Sequence, residues 1–425
     1  MLTAGRTARA LPAIAAMVMS CAVAACSGGS TPAPSLASVR TLLAAHSAAV
    51  RTHDAKAFAA GLSGAKPSAA FRARQQATLR NLADVPLASW SYTVSGRTDD
   101  RGFEHTATKR YGTTAIIVRL SLSYALRGVD ARPTSHELWW TFVRSGGRTV
   151  IAGDDDLAKG GGTSWKGPWD FGRVAVVPYA AGLVIGHPAD APLLQTVARL
   201  AAAAVPAVTA VWGTQWSRRV AVLVPSSAAE LSADVGQANS DAGPVAALAV
   251  SDSVDPLSHA VLGQRLIVYP SALRQLSTVG AQVLFRHEIT HIASARSTAE
   301  VSPRWLVEGF ADYVGNLHSG QSVTVVASEL RADVRAGRVP TALPTDDQFD
   351  TTGAQAQAYE GGWLACRLIA SEAGQAGLVR FYRVVGEQPT DMDTAVATAM
   401  RSVLHETTAA FVAQWQRYLR AQLGR

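Results

Sequence analysis

Two hydrophobic periods succeed each other along the chain. Val39, Leu42, Leu43, His46 and Val50 recur at helical spacing, which predicts a helix over residues 37–49 with one apolar face. A second helical run covers about 68–82. The period then falls to two. Ile116, Val118, Leu120, Leu122, Tyr124 and Leu126 alternate with Ala115, Ile117, Arg119, Ser121 and Ala125, the pattern of a half-buried strand. Residues 136–143 and 149–152 read as a hairpin turning at Ser145-Gly146-Gly147. From about 164 the pattern is mixed. Short strands are expected over 173–179 and 182–185, a long alanine-rich helix over 191–210, and apolar strands over 219–225 and 265–269. Beyond 277 the chain reads as nearly all helical.

These elements predict an α+β protein. An accessory unit of helices plus antiparallel sheet spans 37–160, and a small mixed sheet followed by a mostly helical region spans 164–425. The first unit looks like the cone of nuclear-transport-factor-type or cystatin-like domains. The resemblance implies a small-ligand pocket or, as the plainer expectation, a packing surface. The boundary falls in the polar, glycine-rich stretch 154–163. Its triplet Asp154-Asp155-Asp156 lacks the spacing of a calcium loop and reads as a solvated turn.

Composition sets the class. Of 425 residues 48% are hydrophobic and 17% charged, as in a globular protein and not a disordered one. Net charge is +7, with no Lys- or Arg-rich run and no aromatic platform beside one, so no nucleic-acid partner is expected. Mild basicity suits an anionic membrane surface. The N-terminus agrees. Arg6 and Arg9 precede an apolar run to Ala25, too short for a spanning helix and suited to a secretory signal over 1–25. It ends in Val23-Ala24-Ala25-Cys26, which resembles the bacterial lipobox. That resemblance implies lipidation of Cys26, a flexible tether over 26–36, and a place on the extracytoplasmic face of the cell membrane. Of the three cysteines, Cys21 lies within the signal and Cys366 in an apolar helical run, so no disulfide is expected.

The chemistry concentrates at Arg286-His287-Glu288-Ile289-Thr290-His291. Two histidines at i and i+4 share one helical face, so both imidazoles reach one cation. Zinc at such a site makes water more acidic, and the adjacent Glu288 is placed to act as general base. Sixteen residues separate His291 from Glu308, which lies in Trp305-Leu306-Val307-Glu308-Gly309-Phe310-Ala311-Asp312-Tyr313. Ser302 as N-cap and Pro303 as first residue predict a second helix. On it Glu308 and Asp312 share a face. Glu308 is the expected third ligand, and Asp312 the acceptor that orients a ligand imidazole.

With these motifs the chain resembles the gluzincin zinc metallopeptidases, of peptidase-MA-like type. The resemblance covers roughly 170–425 and is motif-specific over 287–313. It implies one zinc ion, hydrolysis of a peptide or protein substrate, and a tyrosine or histidine donating to the oxyanion. Tyr359, in Ala358-Tyr359-Glu360-Gly361-Gly362-Trp363, is the candidate donor, with His318 second. No glycine-x-methionine-glutamate-asparagine segment precedes the motif, so the resemblance supplies no N-terminal amine recognition. His187 and His259 stand alone and are expected at the surface. Two rival readings remain open: a lipoprotein binding or assembly module with a structural or vestigial zinc site, and a cone that carries the main function by binding a cell-envelope ligand.

Overall fold

The protein is described by a computed structural model over residues 32–235, 246–254, 260–388 and 391–424. Residues 1–25, Cys26 and His259 lie outside the described residues. The chain folds as α+β, an antiparallel-sheet unit followed by a small mixed sheet and a mostly helical region.

The first unit opens with α1 (Leu36–Arg51), α2 (Ala55–Ala60) and α3 (Ala69–Asn81). Ser35 caps α1 and Asp54 caps α2, each side chain accepting backbone N–H groups of the first turn. Next come β1 (Leu87–Arg97), α4 (Arg101–Tyr111), β2 (Ala115–Leu126), β3 (Thr134–Ser145) and β4 (Arg148–Gly153). The strands form an antiparallel meander in the order β1-β2-β3-β4. The β3–β4 turn sets Gly146 and Gly147 at φ of 55° and 80°, a left-handed pair that glycine adopts without a Cβ penalty. β1 and α4 were not singled out by the pattern above.

The acidic triplet differs from its expectation as a solvated turn. Asp154 pairs with Arg74 at 2.6 Å, while Arg110 bridges Asp155 at 2.7 Å and Asp156 at 2.8 Å. Asp156 also accepts from the hydroxyls of Tyr111 and Thr141. The triplet clasps α3, α4 and β3. Its partners lie up to 80 residues away in sequence, so no local pattern announces them.

The second region begins with β5 (Ala175–Tyr179), β6 (Gly182–Gly186), α5 (Ala191–Trp212), β7 (Val220–Leu223), α6 (Ala228–Val235), β8 (Ala247–Val250), β9 (Ser253–Val254), β10 (Val261–Leu262) and β11 (Arg265–Val268). A five-stranded sheet has the order β5-β6-β7-β11-β8. Its inner strands β6, β7 and β11 are parallel, and the outer strands β5 and β8 run antiparallel to them. Apart from Arg265 at the start of β11, the inner strands are apolar because both faces are covered. Leu183, Ile185, Ala221, Leu223 and Ile267 point into a core shared with the first unit. Val184, Val220, Val222, Leu266 and Val268 point the other way, into the helical layer. This period-two division makes the sheet a wall between the two units. A buried ion pair crosses to it. Arg265 on β11 meets Asp130, after β2, at 2.7 Å with both side chains buried.

The helical layer holds α7 (Pro270–Leu273), α8 (Thr278–Ser294), α9 (Arg304–Asn316), α10 (Val323–Val326), α11 (Ser328–Arg335), α12 (Gln355–Gly386), α13 (Met392–Ala399) and α14 (Thr408–Leu423). α12 breaks at Gly374, whose φ is 73°. α8 packs between α5 and α9, and α9 lies against α12. Cys366 is fully buried, as are Phe411 and Trp415. His187 is a correction. It is 7% exposed, its Nε2 lies 2.8 Å from buried Glu230, and its Nδ1 lies 3.0 Å from the Arg173 carbonyl. Glu230 reaches it from α6, 43 residues on, so the histidine stands alone only in sequence.

Candidate metal centre

α8 carries the paired histidines. Ser277 starts it, its Oγ accepting the Gly280 N–H at 3.0 Å, and Phe285, Ile289 and Ile292 bury its back face. That packing turns His287 and His291 to the opposite side. The start of α9 departs from expectation by one residue. Pro303, not Ser302, is the N-cap, and Ser302 Oγ instead accepts the Ala299 N–H. The cap comes from far away: Asp346 Oδ1 accepts the Arg304 N–H at 2.8 Å. Proline has no side-chain acceptor, so the free N–H takes a carboxylate from the loop that packs over it.

α9 approaches α12 at two glycines. A Cβ on Gly309 would overlap the Gly362 carbonyl, and one on Gly362 would stand 2.6 Å from the Trp305 carbonyl oxygen. This close contact sets the depth of Glu308, the residue before Gly309.

The structure brings together the three expected donors. His287 Nε2 and His291 Nε2 are 3.1 Å apart, and Glu308 Oε2 lies 3.3 Å from the first and 3.5 Å from the second. Among the described residues they are a group able to hold a metal ion. Donors on a tetrahedron with ~2.05 Å bonds are about 3.3 Å apart, so the donor set fits zinc in size and in ligand type. Asp312 Oδ1 lies 2.8 Å from His287 Nδ1. A proton held on Nδ1 by a carboxylate leaves the Nε2 lone pair for a cation.

Electrostatics match this arrangement. Burial raises the Glu308 carboxyl, but His291 and His287 outweigh it and hold the group below the usual carboxylate range. For His287 burial favours the neutral ring, and the Asp312 carboxylate overrides it, raising the group well above its ordinary value. Glu288 is 6% exposed. Burial raises its proton affinity, opposed by the two histidines and by the Ala249 N–H, which donates to Oε2 at 2.9 Å.

These groups open into a cleft of about 960 Å³. β8 forms one wall, and α7 with the start of α8 forms another. Val254 and Leu276, 53% and 40% exposed, are among its lining residues. Tyr359 lines the same cleft from the first turn of α12, its ring 5.0 Å from Phe349. Burial raises its phenol well above the ordinary value. His318 is elsewhere, exposed after α9 with φ of 60°, and does not line the cleft.

Sequence reasoning missed β8, whose Ala249 meets the base. Its signal is slight: an apolar run, Val245 to Val250, between Gly243-Pro244 and Ser251-Asp252, poor in the β-branched residues that mark strands.

No family model matches this chain, and no curated protein does. Among solved structures it is similar to a two-domain M1 zinc metallopeptidase mutant bound to L-arginine, at 16% identity and a TM-score of 0.33. It is also similar to an M1 zinc metallopeptidase mutant from Deinococcus radiodurans bound to a Tyr-Ser-Ala substrate, at 17% identity and a TM-score of 0.31. Each match covers 80% of this chain and 62% of the other, so the chain spans less than two thirds of those structures. At these TM-scores the likeness is too remote to assign an activity.

Proposed function

We propose that the chain is a zinc-dependent peptidase, working outside the cytoplasm and held to the membrane by lipid on Cys26. One observation carries the reading. Three donors stand at tetrahedral separations, and a buried carboxylate follows the first of them in sequence. His287, His291 and Glu308 would hold the ion, with Asp312 orienting His287. Zinc, when bound, supplies a Lewis acid that polarises a carbonyl and lets water lose its proton near neutral pH.

The chain's own residues do the rest. Glu288 takes the proton of the attacking water. It returns that proton to the amine nitrogen as the carbon–nitrogen bond breaks. The raised proton affinity that burial gives Glu288 suits both halves of this exchange. Tyr359 donates to the carbonyl oxygen as negative charge develops there. Ala249 points its N–H away from β11, so the strand's alternation turns Ala247 outward as well. An extended peptide adds to this edge by main-chain hydrogen bonds. Val254, Leu276, Val283 and Leu284 line the cleft and select apolar side chains. The partners are therefore a peptide or protein substrate and the membrane.

Zinc content tests the reading. Elemental mass spectrometry of the lipid-free mature chain is expected to find about one zinc per molecule, and much weaker retention in Glu308→Ala. No zinc after reconstitution overturns it. Replacing Cys26 by Ala should move the protein from membrane to soluble fraction; unchanged membrane retention rejects the anchor.

A further inference from the structure

β8 ends against the first unit. Three residues beyond Ala249, whose N–H meets Glu288, stands Asp252. Its Oδ2 accepts from the hydroxyl of Thr134, the buried first residue of β3, at 2.5 Å. His136, two residues on, shields the same carboxylate. Its Nε2 lies 3.4 Å from Asp252 Oδ2 without a hydrogen bond, and its ring stacks on Trp165 at 3.8 Å. Gly263 packs against the pair from β10's side: a Cβ there would overlap the Asp252 carboxylate and stand 2.6 Å from Thr134 Oγ1. The Asp252 N–H donates to the Leu262 carbonyl at 3.0 Å. Leu248 and Val250, on one face of β8, pack on the core shared with the first unit.

We infer that Thr134 and Asp252 form a latch through which the first unit positions β8 for substrate, which makes both of them positioning residues. Among the described strands β8 is an edge. β11 pairs with one side of it, over Ala247–Val250, and the other side meets the cleft. A strand of four residues held on one side opens at little cost, since few contacts are lost when it lifts. The main-chain groups that an extended peptide adds to lie on the side that faces the cleft. Fixing the residue that follows the strand keeps those groups in place before a peptide arrives, and so lowers the ordering cost of binding. A hydroxyl donating to a carboxylate is a short, strong contact suited to that task. Neither Thr134 nor Asp252 lines the cleft, so the latch acts through β8 and not on the peptide. Its two halves lie 118 residues apart, one in each unit.

The effect on substrate rests on the peptidase reading; the latch does not. The experiment separates the two. Deuterium uptake over residues 246–252 is followed by mass spectrometry on the zinc-loaded chain. Thr134→Val keeps the shape of the side chain and removes its hydroxyl. The Asp252 side chain is 27% exposed, so water takes the freed lone pair and the variant should fold. Uptake over 246–252 is expected to speed up roughly 10-fold, the weight of one hydrogen bond to a charged group, and to return to the wild-type rate in Thr134→Ser. Uptake in β2 and α5 should not change, nor should zinc content. In parallel, KM for an extended peptide should rise about 3-fold with kcat little changed. Apparent affinity follows the fraction of molecules with the strand in place, and a bound peptide then holds the strand itself. Unmoved uptake, a rise spread over β2 and α5, or an unmoved KM in an active enzyme overturns the proposal. If uptake moves while the wild type cleaves no peptide, the latch stands and the peptidase reading falls. Should Thr134→Val fail to fold, Asp252→Ala removes the acceptor from the more exposed half of the contact and carries the same readouts.

Discussion

Asp312 Oδ1 lies 2.8 Å from His287 Nδ1, and this contact decides which nitrogen of the ring faces Glu308. The two residues are 25 apart, on different helices. Replacing Asp312 by Ala leaves all three donors in place and removes only the orientation. Zinc affinity is expected to fall ~10–100-fold, read by competition with a chelating dye. Unchanged affinity would mean that helix packing alone orients the ring.

Glu288→Gln separates binding from proton transfer. The amide oxygen still accepts from the Ala249 N–H, so the fold and the donor cluster should persist. Zinc stoichiometry is expected to match the wild type while kcat falls ~10²–10⁴-fold. Turnover at the wild-type rate would remove Glu288 from the reaction.

Gly309 is where packing and chemistry meet. A methyl group there collides with backbone, the Gly362 carbonyl, and backbone yields less readily than a side chain. Gly309→Ala should cost about 1–3 kcal/mol of stability, as overpacking commonly does. It should also weaken zinc retention, because Glu308 moves with its neighbour. Thermal unfolding and metal content measured on one preparation check both effects.

Glu360, the residue after Tyr359, predicts a pH dependence. Its buried carboxyl accepts the N–H groups of Glu329 and Leu330 at 3.2 and 2.6 Å, capping α11. Burial, with Glu329 close by, pushes it up to about 8. The folded state thus holds a proton that the unfolded chain releases at about 4.3. The contribution to stability is fully present below that lower value and is lost as pH rises through about 8. The melting temperature should fall between about pH 5 and 8, and Glu360→Gln, which mimics the protonated form, should flatten that part of the curve. A wild-type profile flat over this range would place the proton elsewhere.

Much of this architecture is legible before any coordinates. His287, Glu288 and His291 share one helix, where the period of 3.6 residues alone puts both rings on one side. β2 shows its alternation over residues 119–123, where one face is buried and the other is not, whereas Ala115 and Ile117 on that second face are buried with Ala107 and Tyr111 of α4. The inner strand β7 is apolar throughout and β11 is so after Arg265, which makes both visible as short apolar runs. His187 and the acidic triplet differ from their reading in the sequence for a common reason: Glu230 lies 43 residues from His187, Arg110 lies 45 from Asp155 and Arg74 lies 80 from Asp154, and a local window contains no sign of these ion pairs.

The sequence by itself determined the types of donor, their helical spacing, and the helices and strands that carry them, since these follow from local periodicity and side-chain chemistry. Only the tertiary structure decided that Glu308 stands 3.3 Å from His287, that β8 faces the base, and that Asp346 caps α9. Each of these relations joins elements whose approach depends on how side chains interlock, as at Gly309 and Gly362. Interlocking is a property of the packed whole, and no single stretch of the chain encodes it.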